Sequence, residues 1–92
     1  MHGQGIQARV AAPNLHALGA AVRESRARRG LSQEGLGFAA GLHRNYVGAI
    51  ERGMINPTFR TLAHLTGGLG LPLSELVVLY ERNAGDDPTS TS

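Results

Sequence analysis

The stretch S-Q-E-G-L-G-F-A-A-G-L-H-R-N-Y-V-G-A-I-E-R-G, residues 32–53, decides the fold of this chain of 92 residues. It predicts two short helices joined at an elbow. Ser32 is a favourable N-cap, and Leu36 and Ala40 lie four residues apart, so they can share one buried face. Gly41 marks the end of the first helix, because glycine readily adopts the left-handed conformation that a sharp exit requires.

The second of these helices has two contrasting faces. Val47 and Ile50 lie three residues apart and face inward. The opposite stripe carries small and polar residues, namely Arg44, Asn45, Gly48, Ala49 and Arg52. A short helix with a small, polar outer face fits the major groove of duplex DNA. The stretch therefore predicts a helix-turn-helix, and with it a DNA-binding function.

Three further helices are predicted around this pair. The first runs from the N-cap Asn14 to about Arg29, with an inward stripe of Leu15, Leu18 and Val22. The fourth runs from Phe59 to about Leu69, with Phe59, Leu62 and Leu65 inward, and the fifth from Leu71-Pro72 to about Arg82. No strand or internal repeat is apparent. We therefore expect an all-α domain at 14–82, with a flexible arm at 1–13 and a disordered tail at 83–92.

The charge distribution is compatible with a polyanionic partner. All nine basic residues are arginines lying between Arg9 and Arg82, a range that holds five glutamates and has a balance of +4. A genome that prefers arginine codons would give the same composition on an ordinary solvated surface, and composition alone leaves both readings open. The aromatic content of 4% is too low for the stacking platforms that bind single strands, which favours duplex DNA over RNA.

Several classes of function are disfavoured. There is no cysteine, and the four histidines lack metal-ligand spacing, so neither a disulfide framework nor a metal site is predicted. No serine has a recognisable base pattern, and no glycine-rich phosphate loop is present, so we expect neither an enzyme nor a cofactor. No apolar run approaches the ~20 residues of a membrane span, and a cytoplasmic location is expected.

An ordered series of motifs resembles the phage-repressor/Cro-type helix-turn-helix family, the xenobiotic-response-element-like transcriptional regulators. The series consists of L-S-Q-E-x-L at 31–36, Gly41, Y-V-x-x-I-E-R-G at 46–53, N-P-T at 56–58 and L-G-L at 69–71. The likeness covers roughly residues 15–80. It implies a compact five-helix bundle of the lambda-repressor-like type, usually dimeric, that binds short palindromic operators and regulates transcription.

The resemblance also implies roles for individual residues. Base edges would be contacted by Arg44, Asn45 and Ala49. Phosphates would be contacted by Gln33, His43, Arg52 and Asn56. An internal salt bridge would join Arg26 to Glu51. Since Gly48 and Ala49 replace longer polar side chains that the family often has, Arg44 and Asn45 would carry most of the direct readout, or DNA shape would contribute more.

The fifth predicted helix is more apolar than one buried face requires. We expect a dimer interface there, formed by Leu73, Leu76, Val77, Val78, Leu79 and Tyr80. Burial of the helix within its own domain is the alternative. A second hypothesis for the whole chain is a protein-interaction module, such as an antitoxin or an adaptor, that uses the same fold with weak DNA specificity.

Overall fold

The computed structural model describes residues 12–86, and this range contains five α-helices and no strand. The helices are α1 (Leu15–Arg28), α2 (Gln33–Ala40), α3 (Arg44–Glu51), α4 (Phe59–Leu69) and α5 (Leu73–Asp86). This architecture confirms the predicted all-α, five-helix fold. Residues 1–11 of the predicted arm lie outside the described residues.

Local capping signals set most of the helix boundaries. The side chains of Asn14, Ser32 and Thr58 each accept a hydrogen bond from a backbone N–H in the first turn of the helix that follows. Gly41 ends α2 with φ 72°, a left-handed conformation that glycine adopts without steric cost. The elbow between α2 and α3 is therefore fixed by residues that the sequence already singles out.

The last helix is longer than the sequence predicts. α5 continues to Asp86, whereas the pattern places its end near Arg82 and begins a disordered tail at residue 83. The side-chain amide of Asn83 donates to the carbonyl of Ala17 on α1, at 3.5 Å, and this contact helps to hold the additional turn. Residues 87–92 of the predicted tail lie outside the described residues.

The core forms where α1 packs on α3 and α5, and where α2 packs on α3 and α4. Its fully buried members include Ala21, Val22, Leu36, Val47, Ile50, Leu65, Leu69 and Leu76. The most buried side chains of α1 are those of Ala17, Ala21 and Val22, because the neighbouring helices approach α1 closely. Leu15 and Leu18, which were expected to face inward, are only half-buried.

The prediction that Phe59 faces inward is wrong, because its side chain is 72% exposed. The second half of α4 makes the close contact with α2: a Cβ on Gly68 would lie 2.9 Å from the backbone nitrogen of Ala40. Phe59 belongs to the first turn of α4, at the other end of the helix.

A buried glycine lies where α1 meets α3. A Cβ on Gly19 would lie 2.6 Å from the carbonyl oxygen of Ile50 and would overlap that of Glu51. No side chain fits between the two helices there, so the absence of a Cβ sets their separation. Gly19 thereby helps to position α3.

No single helix within residues 12–86 has the length and apolar character needed to cross a membrane. Taken together, α4 and α5 have the length and apolar composition of a membrane span, but the two helices are bent by 104° relative to each other.

Candidate nucleic-acid interface

A buried carboxylate joins the end of α3 to α1. Glu51 has a side chain that is only 2% exposed, and it receives two hydrogen bonds from Arg26: Nε to Oε2 at 2.6 Å and Nη2 to Oε1 at 3.0 Å. The remaining terminal nitrogen of Arg26 donates to the carbonyl of Leu31, at 2.8 Å, in the turn before α2. One guanidinium therefore links three segments of the chain.

The Arg26–Glu51 pair keeps the arginine charged. The hydrogen bonds to Glu51 raise the pKa of Arg26, and they outweigh the burial that alone would lower it. The pair is bidentate, the geometry in which arginine and carboxylate interact most strongly. Arg26 therefore remains a cation in the folded protein.

Gln33 completes the arrangement. Its side-chain Nε2 donates to Oε1 of Glu51 at 3.0 Å, so α2 is tied to the same carboxylate. We call Arg26, Gln33 and Glu51 the Glu51 network. Since the amide nitrogen of Gln33 is already bonded within the protein, its predicted phosphate contact is left to its backbone N–H at the start of α2 or to a rearranged side chain.

Gly48 lies beneath two side chains rather than on the outer face. It is buried, and a Cβ added to it would lie 3.2 Å from Oε1 of Gln33 and 3.1 Å from Nη1 of Arg52. The expectation that Gly48 belongs to the exposed stripe is therefore wrong. Its missing side chain leaves space in which Gln33 and Arg52 lie against the helix.

The outer face of α3 is small. Arg44, Asn45 and Arg52 are exposed, and Ala49 is half-buried. Nη1 of Arg44 lies 3.7 Å from a carboxylate oxygen of Glu34, and both side chains are more than half exposed. Such a surface pair contributes little to stability, so Arg44 can exchange Glu34 for another acceptor at low cost.

His43 serves as the N-cap of α3. Its ring nitrogen Nδ1 accepts a hydrogen bond from the backbone N–H of Asn45 at 3.0 Å. In the neutral ring the proton is then on Nε2. The exposed His43 therefore offers an N–H donor at the N-terminal end of α3. Asn56 is also exposed, but it lines an apolar groove beside Leu62 and Tyr80.

The predicted dimer interface is divided between the core and the surface. Leu76 and Leu79 are 1% and 8% exposed within the single chain, so the expectation that they lie on a dimer surface is wrong. These two side chains pack in the core that α5 shares with α1. Val77 and Val78 remain exposed, at 39% and 61%.

The other two residues of the predicted patch are partly covered. Leu73 and Tyr80 are half-buried, and the phenol oxygen of Tyr80 accepts a hydrogen bond from the backbone N–H of Asn14 at 3.2 Å. An apolar groove of about 260 Å³ runs between these residues, α1 and α4, with Val77 at its edge. Val77 and this groove therefore form one apolar surface of α5, and the exposed Val78 lies outside the groove.

One large apolar side chain beside the exposed face of α3 is not among the predicted site residues. Phe38 is 91% exposed and lines a shallow depression together with Glu34, His43 and Arg44. Its spacing of four residues from Glu34 was the available signal, because residues so spaced share one helix face. The link from Gln33 to Glu51 had no comparable signal, since the two residues belong to different helices.

The comparisons with known proteins agree with this geometry. Residues 22–76 match the model of the protein family described as helix-turn-helix. Over 56 residues the chain is 41% identical to the control protein C.SmaI of Serratia marcescens, a span of 61% of this chain and 67% of that protein. Over 52 residues it is 40% identical to the uncharacterised HTH-type transcriptional regulator y4dJ of Sinorhizobium fredii, covering 56% of this chain and 68% of that protein.

Two solved structures are also similar. The restriction-modification controller protein C.AhdI from Aeromonas hydrophila superposes with a TM-score of 0.66 and 42% identity, over 67% of this chain and 94% of that one. The clp gene regulator ClgR from C. glutamicum superposes with a TM-score of 0.72 and 26% identity, over 78% of this chain and 94% of that one.

Proposed function

Because this chain belongs to the helix-turn-helix family of DNA-binding transcriptional regulators, we propose that it acts as a homodimer on a short palindromic operator. In this proposal α3 enters the major groove, and the two copies of α3 lie about 34–36 Å apart, one turn of the duplex. The observation that carries the proposal is the exposed, polar face of α3 around Arg44 and Asn45, held from behind by the buried Glu51 network.

The proposed contacts divide into base readout and phosphate positioning. Arg44 donates to the O6 and N7 acceptors of a guanine, and Asn45 pairs with an adenine. Ala49 packs against a thymine methyl group. Phosphates are held by the Nε2–H of His43 and the guanidinium of Arg52, while the first turn of α2 and the loop at Asn56 complete the backbone contacts.

Selection of bound duplexes from a random pool, followed by titration at two salt concentrations, tests the function as a whole. We expect one preferred palindrome and an affinity that falls steeply as salt rises, because phosphate contacts release counterions. Absence of duplex binding at low salt would contradict the proposal and would favour the interaction-module hypothesis. The exposed Phe38 is the observation that supports that second hypothesis, since its apolar side chain is 91% exposed beside α3 and is available to a protein partner.

Arg44→Ala is the variant that tests the proposed base readout. We expect it to weaken binding to the selected operator by about 1–3 kcal/mol and to relax the preference at one base position in each half-site. Fluorescence anisotropy with the operator and its single-base variants measures both effects. Arg82→Ala is the matched control, because it removes the same charge from an exposed position on α5. An equal loss on every sequence would identify Arg44 as a phosphate contact.

Val77→Glu tests the proposed homodimer. Val77 borders the apolar groove, and a carboxylate there would be desolvated in a dimer that covers it, so we expect dissociation to monomers. Sedimentation velocity measures the change. Val78→Glu tests the rest of the predicted patch, since Val78 is also exposed but does not line this groove. A dimer that survives Val77→Glu would contradict the groove as the interface, and dissociation by Val78→Glu alone would place the interface at Val78.

A further inference from the structure

A second cavity is lined by none of the residues proposed to contact DNA. It has a volume of about 360 Å³ and opens between the ends of α1 and α4 and the beginning of α5. This volume is within the range of small-molecule sites. Its walls combine apolar side chains, such as Leu71 and Val78, with charged groups of both signs. A mixed lining of this kind suits a small ligand that is both charged and apolar.

Arg29, one of the two arginines that line the cavity, makes a hydrogen bond that positions its guanidinium. Nη1 of Arg29 donates to the carbonyl of Leu69 at 2.5 Å, which fixes the guanidinium over the end of α4. Gly70 follows directly, and a Cβ there would overlap the same nitrogen, so this seat for Arg29 depends on a glycine. A guanidinium has five N–H donors, and most of those of Arg29 remain for a carboxylate. The second arginine at the cavity, Arg28, is instead paired with Glu24 at 2.6 Å.

Two further polar groups line the same space. Ser25 is 2% exposed, and its hydroxyl is the buried side-chain oxygen that has no hydrogen-bond partner within the described residues. An unpaired buried hydroxyl is unfavourable, which distinguishes this position from an ordinary helix serine. Glu75, in the first turn of α5, is exposed and forms no ion pair with any residue in the described range.

We propose that this cavity binds a free α-amino acid with an apolar side chain. The ligand carboxylate binds Arg29, and its ammonium group binds Glu75. The apolar side chain packs against Leu71 and Val78, which covers a valine that is 61% exposed. The hydroxyl of Ser25 gains a partner in the ligand when it rotates about χ1 toward the cavity. This inference does not depend on the proposed DNA contacts.

Calorimetric titration of the DNA-free protein tests the proposal, with L-leucine as the probe. Two matched compounds each lack one charge: 4-methylpentanoate has no ammonium group, and 3-methylbutylamine has no carboxylate. We expect leucine to bind at a single site and to raise the melting temperature, because a ligand of the native state stabilises it. Each analogue should bind at least about tenfold more weakly. Absence of leucine binding, or equal binding of an analogue, would overturn the proposal.

Variants connect the binding to the cavity. Glu75→Gln should weaken leucine binding about tenfold and leave 4-methylpentanoate unaffected, since only the ammonium contact is lost. Glu81→Gln, the same change at an exposed position of α5 outside the cavity, should have no effect. Ser25→Ala should weaken leucine binding without lowering the melting temperature of the free protein. Unchanged leucine binding in both Glu75→Gln and Ser25→Ala would place the ligand elsewhere and refute the site.

Discussion

Replacing Glu51 with alanine should lower the free energy of unfolding by about 3–5 kcal/mol, a large fraction of what a domain of this size possesses. The carboxylate is nearly inaccessible to water and accepts hydrogen bonds from Arg26 and from Gln33. Its removal leaves a largely buried guanidinium without its counter-charge. Urea denaturation followed by circular dichroism measures the loss.

A second carboxylate provides the control for this experiment. Glu24 also pairs with an arginine, Arg28, at 2.6 Å, but both side chains of that pair reach solvent. Glu24→Ala should therefore cost no more than about 1 kcal/mol. The double variant Arg26→Met/Glu51→Leu should recover part of the loss, because it removes both charges together. Equal costs for Glu24→Ala and Glu51→Ala would contradict the structural role assigned to the Glu51 network.

The stability that the Arg26–Glu51 pair contributes should not change as the pH is raised from neutral into the moderately alkaline range. The folded-state pKa of Arg26 is raised above its ordinary value. A group whose pKa is raised on folding contributes stability that is fully present below its unfolded-state pKa and is lost only as the pH rises above it. For an arginine that loss occurs only in strong alkali.

Gly19→Ala should destabilise the domain by about 3 kcal/mol, the upper end of the usual cost of overpacking. The new methyl group would meet the carbonyl groups of Ile50 and Glu51, which are backbone atoms and cannot rotate away. α1 and α3 would have to separate. Because α3 carries the proposed DNA contacts, operator affinity should fall as well, even at temperatures where the variant remains folded.

The same substitution elsewhere should have the opposite effect. Gly67 lies within α4, is exposed, and has nothing within 4 Å of the position that a Cβ would occupy. Gly67→Ala should therefore stabilise the domain by roughly 0.5–1 kcal/mol, the usual gain in a helix interior. Comparing the two melting temperatures separates the packing effect from the backbone effect. Stabilisation by Gly19→Ala would show that α1 and α3 are less closely packed than described.

The sequence predicted those features that depend on neighbouring residues along the chain. The caps at Asn14 and Ser32 and the left-handed Gly41 are local, because their hydrogen bonds and dihedral angles involve only adjacent turns. The inward positions Val47 and Ile50 followed from helical periodicity, since one face of a short helix must be buried. For these residues, local preference and tertiary structure agree.

Features that depend on which helices meet could not be predicted in the same way. Leu76, Val77 and Val78 are all apolar, and only the packing of α5 against α1 decides that the first is buried and the other two are exposed. The role of Gly19 depends on a crossing with residues about thirty positions later. Gln33 has helix-start character in the sequence, whereas its bond to Glu51 exists only once α2 and α3 are folded together.

The covered position of Gly48 has a consequence for how this protein could acquire a new operator. A side chain introduced there would do two things at once: it would add a group beside the face of α3 that is proposed to read bases, and it would displace Gln33 and Arg52 from the places where they lie. Any gain in base recognition would be accompanied by a change in how the helix is held on the duplex. Asn45 is exposed, and no displacement of Gln33 and Arg52 is expected from a change there. Asn45 is therefore the position at which we expect a substitution to change operator preference without altering how α3 is held on the duplex.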